Sequence, residues 1–124
     1  MRLLLDTHIY LWCLKDGGQL SKKARLLITN ADAVYVSSAS IWEVAIKKTL
    51  GKLKVDGDFV TAITASGFLE LPVSAQHAVI TSQLPLLHRD PFDRMLIAQA
   101  IHEPLQFLTA DATLKQYSDL VELV

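Results

Sequence analysis

Short apolar runs alternating with amphipathic helical stretches predict an α/β fold with a mostly parallel central sheet. Three observations carry this. LLL at 3–5 and VYVSS at 34–38 are apolar or β-branched, as expected of strands covered on both faces. Between and after them the apolar spacing switches to the helical period. Strands that alternate with helices in this way are joined by crossovers, which make neighbouring strands parallel.

Taken in order, Leu3–Leu5 is the first strand, followed by helical spacing from Ile9 to Leu14 that Asp16, Gly17 and Gly18 should stop. Ser21 is placed to cap a second helix ending near Asn30, with Ala24, Leu27 and Ile28 on its apolar face. After the VYVSS strand a helix is expected from Ser40 to Gly51, with Ile41, Val44 and Ala45 inside and Lys47 and Lys48 outside. Residues 56–67 predict another helix, 68–73 a strand closed by Pro72, and Ser74–Leu84 a helix. Asp90-Pro91 opens a helix through His102, since proline is preorganised for the first helical position. QFLTAD at 106–111 reads as a strand, TLKQYSDL as a short helix and VELV as a last strand.

Composition limits what such a domain can be. The 124 residues suffice for one domain, read here as 1–124. They are 51% hydrophobic and 20% charged, with five Gly and four Pro, which excludes a disordered chain. The mean hydropathy of +0.29 suggests apolar surface kept for a partner. With 12 Lys and Arg against 13 Asp and Glu, whole-surface attraction to nucleic acid is excluded and only a local basic patch remains. The lone Cys13, in an apolar run, reads as a buried inert thiol and fits a reducing, cytoplasmic compartment. No apolar run reaches the ~18 residues of a membrane span, and MRLLLDTH turns acidic too soon for a signal peptide, so the mature chain is expected to start at Met1.

The chemistry lies in four acids. Asp6 ends the first strand, Glu43 is expected in the first turn of the helix after VYVSS, Asp93 lies in the first turn after HRDP, and Asp111 follows QFLTA. Functional crevices of parallel sheets open at the carboxyl ends of the strands, where these positions converge. Four carboxylates on one rim repel each other, and a divalent cation offsets that repulsion. An oxygen-only donor set without a Cys or His cluster favours Mg²⁺ or Mn²⁺, which can orient water and stabilise charge on a phosphodiester. Each acid also has a simpler explanation. Ser40-x-x-Glu43 fits a capping box, Asp90 and Asp93 suit a helix start, and Asp111 and Asp6 could each cap the helix that follows.

The segments LLLDTH, SSASIWEVAIKK, HRDPFDRMLIAQA and LTADATL resemble, in order and spacing, the acidic motifs of PIN domains, and in particular of VapC-like toxin ribonucleases from type II toxin–antitoxin systems. The likeness spans essentially the whole chain. It implies a three-layer α/β/α PIN-like fold, Mg²⁺- or Mn²⁺-dependent cleavage of RNA, a homodimer and a cognate antitoxin. Carried over, Asp6, Glu43 and Asp93 would hold the metal, Asp111 would be the fourth acid, and Asp90 keeps a smaller claim. Thr7 and Thr109 would hydrogen-bond the acids or the metal's waters.

Around these acids, His8, His88, Arg89, Arg94, Lys47 and Lys48 are candidates to grip RNA phosphate, with solvent exposure or helix-start bonding as the alternative. Lys47, Lys48, Lys52 and Lys54 form the densest basic stretch. Trp12 and Trp42 fit core positions better than base stacking. The run Ile9–Leu14 is apolar nearly all round, so one side should enter the core and the other, with Tyr10 and Leu11, should meet an antitoxin or second subunit. Competing assignments fit less well. A haloacid-dehalogenase-type phosphatase would want a second Asp where His8 stands, a phosphoacceptor receiver does not match the four-motif order, and dinucleotide binding needs a glycine-rich first turn. A PIN-like RNA-processing nuclease outside a toxin–antitoxin pair, or a non-catalytic partner- or RNA-binding module, stays open.

Overall fold

In the computed structural model, which describes residues 1–15 and 17–124, five parallel strands form one sheet in the order β3-β2-β1-β4-β5. The strands are β1 (Arg2–Leu5), β2 (Ala33–Ser37), β3 (Leu69–Leu71), β4 (Gln106–Thr109) and β5 (Val121–Leu123). Six α-helices alternate with them among the described residues: α1 (Thr7–Cys13), α2 (Lys22–Asn30), α3 (Ser38–Thr49), α4 (Thr61–Ala65), α5 (Ala75–Gln83) and α6 (Pro91–His102). A 3₁₀ helix at Ala112–Tyr117 joins β4 to β5. No described helix is long and apolar enough to cross a membrane.

Side-chain alternation along the strands divides the core into two layers. Leu3, Leu5, Val34, Val36 and Leu108 face one side, where they pack with Ile9, Tyr10 and Val44 from α1 and α3. Leu4 and Phe107 face the other and pack with Leu96, Ile97 and Ala100 of α6 and with Leu114. Helices therefore cover both faces of the sheet, as an α/β/α arrangement requires. The three leucines of β1 are fully buried, and truncating one to Ala should cost about 2–5 kcal/mol.

Several sequence expectations need correction. Ser37, not Ser40, caps α3, its hydroxyl accepting from the Ala39 N–H, so the helix starts at Ser38 and Glu43 lies beyond the first turn. No capping box joins Ser40 to Glu43. Ala45 is exposed. The helix expected over 56–67 shrinks to Thr61–Ala65, because Asp58 accepts from the Val60 and Thr61 N–H groups and Gly57 adopts a φ of 77°. The strand expected over 68–73 narrows to Leu69–Leu71. Helix α1 starts at Thr7, and its expected stop at Asp16 lies outside the described residues.

The partner face predicted for α1 also fails. Tyr10 is fully buried and Leu11 nearly so, within this one chain. The Tyr10 hydroxyl donates to the Phe59 carbonyl at 2.6 Å, and Leu53, Val55 and Phe59 pack onto the same cluster. Residues 53–59 thus supply the cover that the sequence reading assigned to a partner. Trp42 departs from its expected core position too: it is 64% exposed, with its ring edge-on to Phe92 at 5.3 Å between centroids. Trp12 is half-buried at the edge of the first core layer.

Candidate functional site

The strand order places a switch point between β1 and β4: from β1 the chain proceeds outward through β2 and β3, then crosses to β4 and proceeds the other way to β5. A crevice opens at such a point, beyond the carboxyl ends of the two strands. Asp6 leaves β1 and Asp111 follows β4 there, with the Asp6 N–H bonded to the Leu108 carbonyl at 2.9 Å. Asp6, Glu43, Asp90, Asp93 and Asp111 line one pocket of about 330 Å³ with His8, Trp12, Lys47 and Ala110. The starts of α1 and α6, the middle of α3 and the end of β4 thus deliver five carboxylates to one place.

Asp6 is buried and doubly bonded. Its Oδ1 accepts from the Thr7 N–H at 2.7 Å, capping α1, and its Oδ2 accepts from the Thr109 hydroxyl at 2.6 Å. Burial raises its pKa, the two bonds pull it down, and the nearby Glu43 charge pushes it up again. Glu43 is equally buried: Oε1 accepts from the Thr7 hydroxyl at 2.8 Å and Oε2 meets Lys47 Nζ at 2.6 Å. The hydrogen bond to Glu43 holds the Lys47 ammonium above its ordinary pKa. Ser40 Oγ lies 2.9 Å from the Thr7 hydroxyl and fixes its position from α3.

Asp93 is pushed up to about 6, first by burial and next by the charge of Asp6, with His88 opposing at 2.7 Å from Oδ2. Asp90 caps α6 through bonds to the Phe92 and Asp93 N–H groups, which leaves Asp93 facing the pocket. Asp111 is held low by the Thr113 hydroxyl and N–H, so it serves as a cap for the 3₁₀ helix while lining the same pocket. Donor atoms of His88, Asp93 and Asp111 lie within 4.8 Å of one another. Helix capping and pocket lining therefore coexist in Asp6 and Asp111.

The donor set fits a divalent cation. Five carboxylates share the pocket with one ammonium, so acids outnumber the cationic groups there. Oxygen donors dominate, as hard cations prefer. The basic candidates diverge. Lys47 is at the pocket, Lys48 lies over the Phe59 ring at 5.6 Å, and Arg89 is exposed on the rim of a separate apolar cavity of about 580 Å³ that Trp42 and Phe92 also line.

Arg94 departs from its expected phosphate contact. Its guanidinium donates to the Thr81, Leu84, Pro85 and His88 carbonyls and to the Tyr117 hydroxyl, which ties down the segment carrying His88. The contact of His88 with Asp93 is not among the sequence expectations. The signal was a His five residues before an acid, with a proline-initiated helix between them.

A family model described as PIN domain matches residues 3–120. No curated protein matches the chain. Among solved structures the fold is similar to that of VapBC2 from Rickettsia felis bound to a DNA fragment from their promoter. There the TM-score is 0.70 at 18% identity, covering 100% of this chain and 98% of that one. FitAcB from Neisseria gonorrhoeae gives a TM-score of 0.60 at 18% identity, covering 90% and 89%. FitAB bound to an IR36 DNA fragment gives 0.58 at 18%, covering 88% and 85%. With a family match across nearly the whole sequence, and a parallel sheet that gathers its acids at the switch point, the chain belongs to the PIN domain family.

Proposed function

We propose that the protein is a divalent-metal-dependent endoribonuclease that acts as the toxin of a type II toxin–antitoxin pair. The observation that carries the reading is the convergence of Asp6, Glu43, Asp93 and Asp111 on one pocket, where burial first and the charge of Asp6 second raise Asp93. Like charges held this close favour a cation as their third partner. Asp6, Glu43 and Asp93 would hold Mg²⁺ or Mn²⁺, with Asp111 as the outer acid. Bound there, the cation supplies activation of water and stabilisation of charge on the phosphodiester.

The chain's own residues set the conditions for this. Bonds from Thr109 and the Thr7 N–H oppose the effect of burial on Asp6, Thr7 orients Glu43, and His88 opposes protonation of Asp93. Lys47, which donates to Glu43, would meet a substrate phosphate. The toxin assignment draws support from the fold shared with VapBC2 over the entire chain and from FitAcB and FitAB. It implies a cognate antitoxin, a homodimer and action in the cytoplasm.

The test is cleavage of total cellular RNA by the purified chain with Mg²⁺, with Mn²⁺ and with chelator, beside Asp93→Asn. Discrete products that need metal and disappear in the variant are expected. Cleavage without an antitoxin gene nearby would move the assignment to an RNA-processing nuclease. Wild type and variant alike in every metal would refute the nuclease and leave a binding module.

A further inference from the structure

We propose that Lys47, Lys52 and Lys54 form a track that holds successive phosphates of a single RNA strand beside the acidic pocket. The inference rests on RNA being the substrate, and it adds which side of the site the strand follows.

Three depressions adjoin along this side. The acidic pocket shares His8, Glu43 and Lys47 with a second depression of about 270 Å³, lined further by Thr7, Leu11, Val44, Lys52 and Leu53. That one shares Leu11 with a third, of about 430 Å³, to which Lys54 and Val55 contribute. Lys47, Lys52 and Lys54 line these depressions in that order from the acids outward, and Lys15 of the α1 end also lines the third.

Local structure explains the row. Helix α3 ends at Thr49, Gly51 with a φ of 70° then turns the chain, and the Lys52 N–H bonds back to the Lys47 carbonyl at 2.9 Å. From there side chains alternate: Leu53 and Val55 pack on the core beneath while Lys52 and Lys54 are exposed. The inward residues anchor the strip, and the outward ones carry the charge. Among the described residues, neither Lys52 nor Lys54 has a carboxylate within 4.0 Å, so their charges are uncommitted, whereas Lys48 is turned to Phe59. Asp56 also lines the third depression.

Charge gives the row its purpose. The protein's net charge is −1 and the pocket is acidic, so neither attracts a polyanion. A strand reaching that pocket needs phosphate contacts just outside it, and this strip supplies uncommitted ammonium groups in the adjoining depressions.

The test measures binding separately from cleavage. A fluorescein-labelled single-stranded RNA is titrated in Mg²⁺ with the Asp93→Asn chain, and with the same chain carrying Lys52→Glu and Lys54→Glu, over a range of KCl. Loss of two phosphate contacts should raise Kd about tenfold or more and reduce the log–log salt slope by about 1.4. Lys52→Gln with Lys54→Gln should fall between, which separates lost attraction from added repulsion, and thermal melting checks that all variants fold. Unchanged Kd and slope, or no RNA binding by the Asp93→Asn chain, overturns the track. The cleavage assay decides the nuclease reading on its own. RNA held through the lysines but never cut keeps the track and refutes the nuclease, while RNA cut with an affinity indifferent to both lysines does the reverse.

Discussion

Thr109 and Asp6, 103 residues apart in sequence, are joined by a 2.6 Å hydrogen bond from the buried threonine hydroxyl to Asp6 Oδ2. The same hydroxyl oxygen accepts from the Asp111 N–H at 3.0 Å, so one side chain sets two of the site's acids. Thr109→Val keeps the shape and removes both bonds. Unfolding measurements on metal-free protein should show a loss of about 1–3 kcal/mol, the cost of leaving buried polar groups unpaired. Metal affinity or cleavage should drop about 10–100-fold, as for other groups that orient ligands. A Val variant with wild-type affinity and cleavage would show that Thr109 serves packing alone.

The pH dependence follows from Asp93, whose carboxyl is pushed up to about 6 from an ordinary 3.8. Between those values the folded chain binds more protons than the unfolded one, so stability from this group falls as pH rises. Its contribution is complete below about pH 4 and gone above about pH 6. Asp6, also raised, acts in the same direction. Metal-free Asp93→Asn should therefore be more stable than wild type above about pH 6, by roughly 1 kcal/mol after screening at this partly exposed carboxylate. Urea unfolding in chelator from acid to neutral pH checks this, and an equal slope in both proteins would contradict it.

Arg94 gives a prediction of a different kind. Its bonds to four carbonyls and the Tyr117 hydroxyl make it a clamp on the segment before α6. Arg94→Ala should lower stability by about 2–4 kcal/mol, since several charge-assisted bonds are lost together. Arg94→Lys should recover only part of it, because an ammonium cannot reproduce the planar fork. Arg89→Ala, at an exposed position, should leave unfolding within about 0.5 kcal/mol of wild type. Thermal and urea unfolding of the three variants decide it: an Arg94→Lys chain as stable as wild type removes the clamp.

These contrasts show what the sequence made legible. Periodicity located every strand and helix near its place, because leucines such as Leu3, Leu4 and Leu5 must face core on both sides of a parallel sheet. The acids were legible as residues just past strand ends. The Glu43–Lys47 pair was open to reading as well, through its i,i+4 spacing. What escaped depends on contacts distant in sequence. Tyr10 and Leu11 read as partner-facing because nothing local announces that residues 53–59 fold over them. Arg94 read as a phosphate contact because its acceptors are backbone carbonyls, which any residue supplies. Ser37 competed with Ser40 for the α3 cap, and the hydroxyl at the strand's last residue won.

Asp6→Asn separates the two explanations of the residue that ends β1. As a cap for α1, Asn serves about as well as Asp, so the bond from the Thr7 N–H is retained. As a cation ligand, Asn lacks the charge that the site needs. If capping were its role, the variant would match wild type in its response to metal. Metal-free stability reports two opposed changes, since a buried carboxylate near Glu43 and Asp93 is gone but the amide NH₂ that replaces Oδ2 cannot accept from the Thr109 hydroxyl. On the site reading, Asp6→Asn loses the stabilisation that wild type gains from Mn²⁺. At a hundredfold excess over Kd that gain is about 2.7 kcal/mol, or about 10 °C in Tm for a domain of this size. Melting curves of both chains with and without Mn²⁺ read the difference directly. Equal Mn²⁺ shifts in the two chains would remove Asp6 from the cation site and leave it as a helix cap.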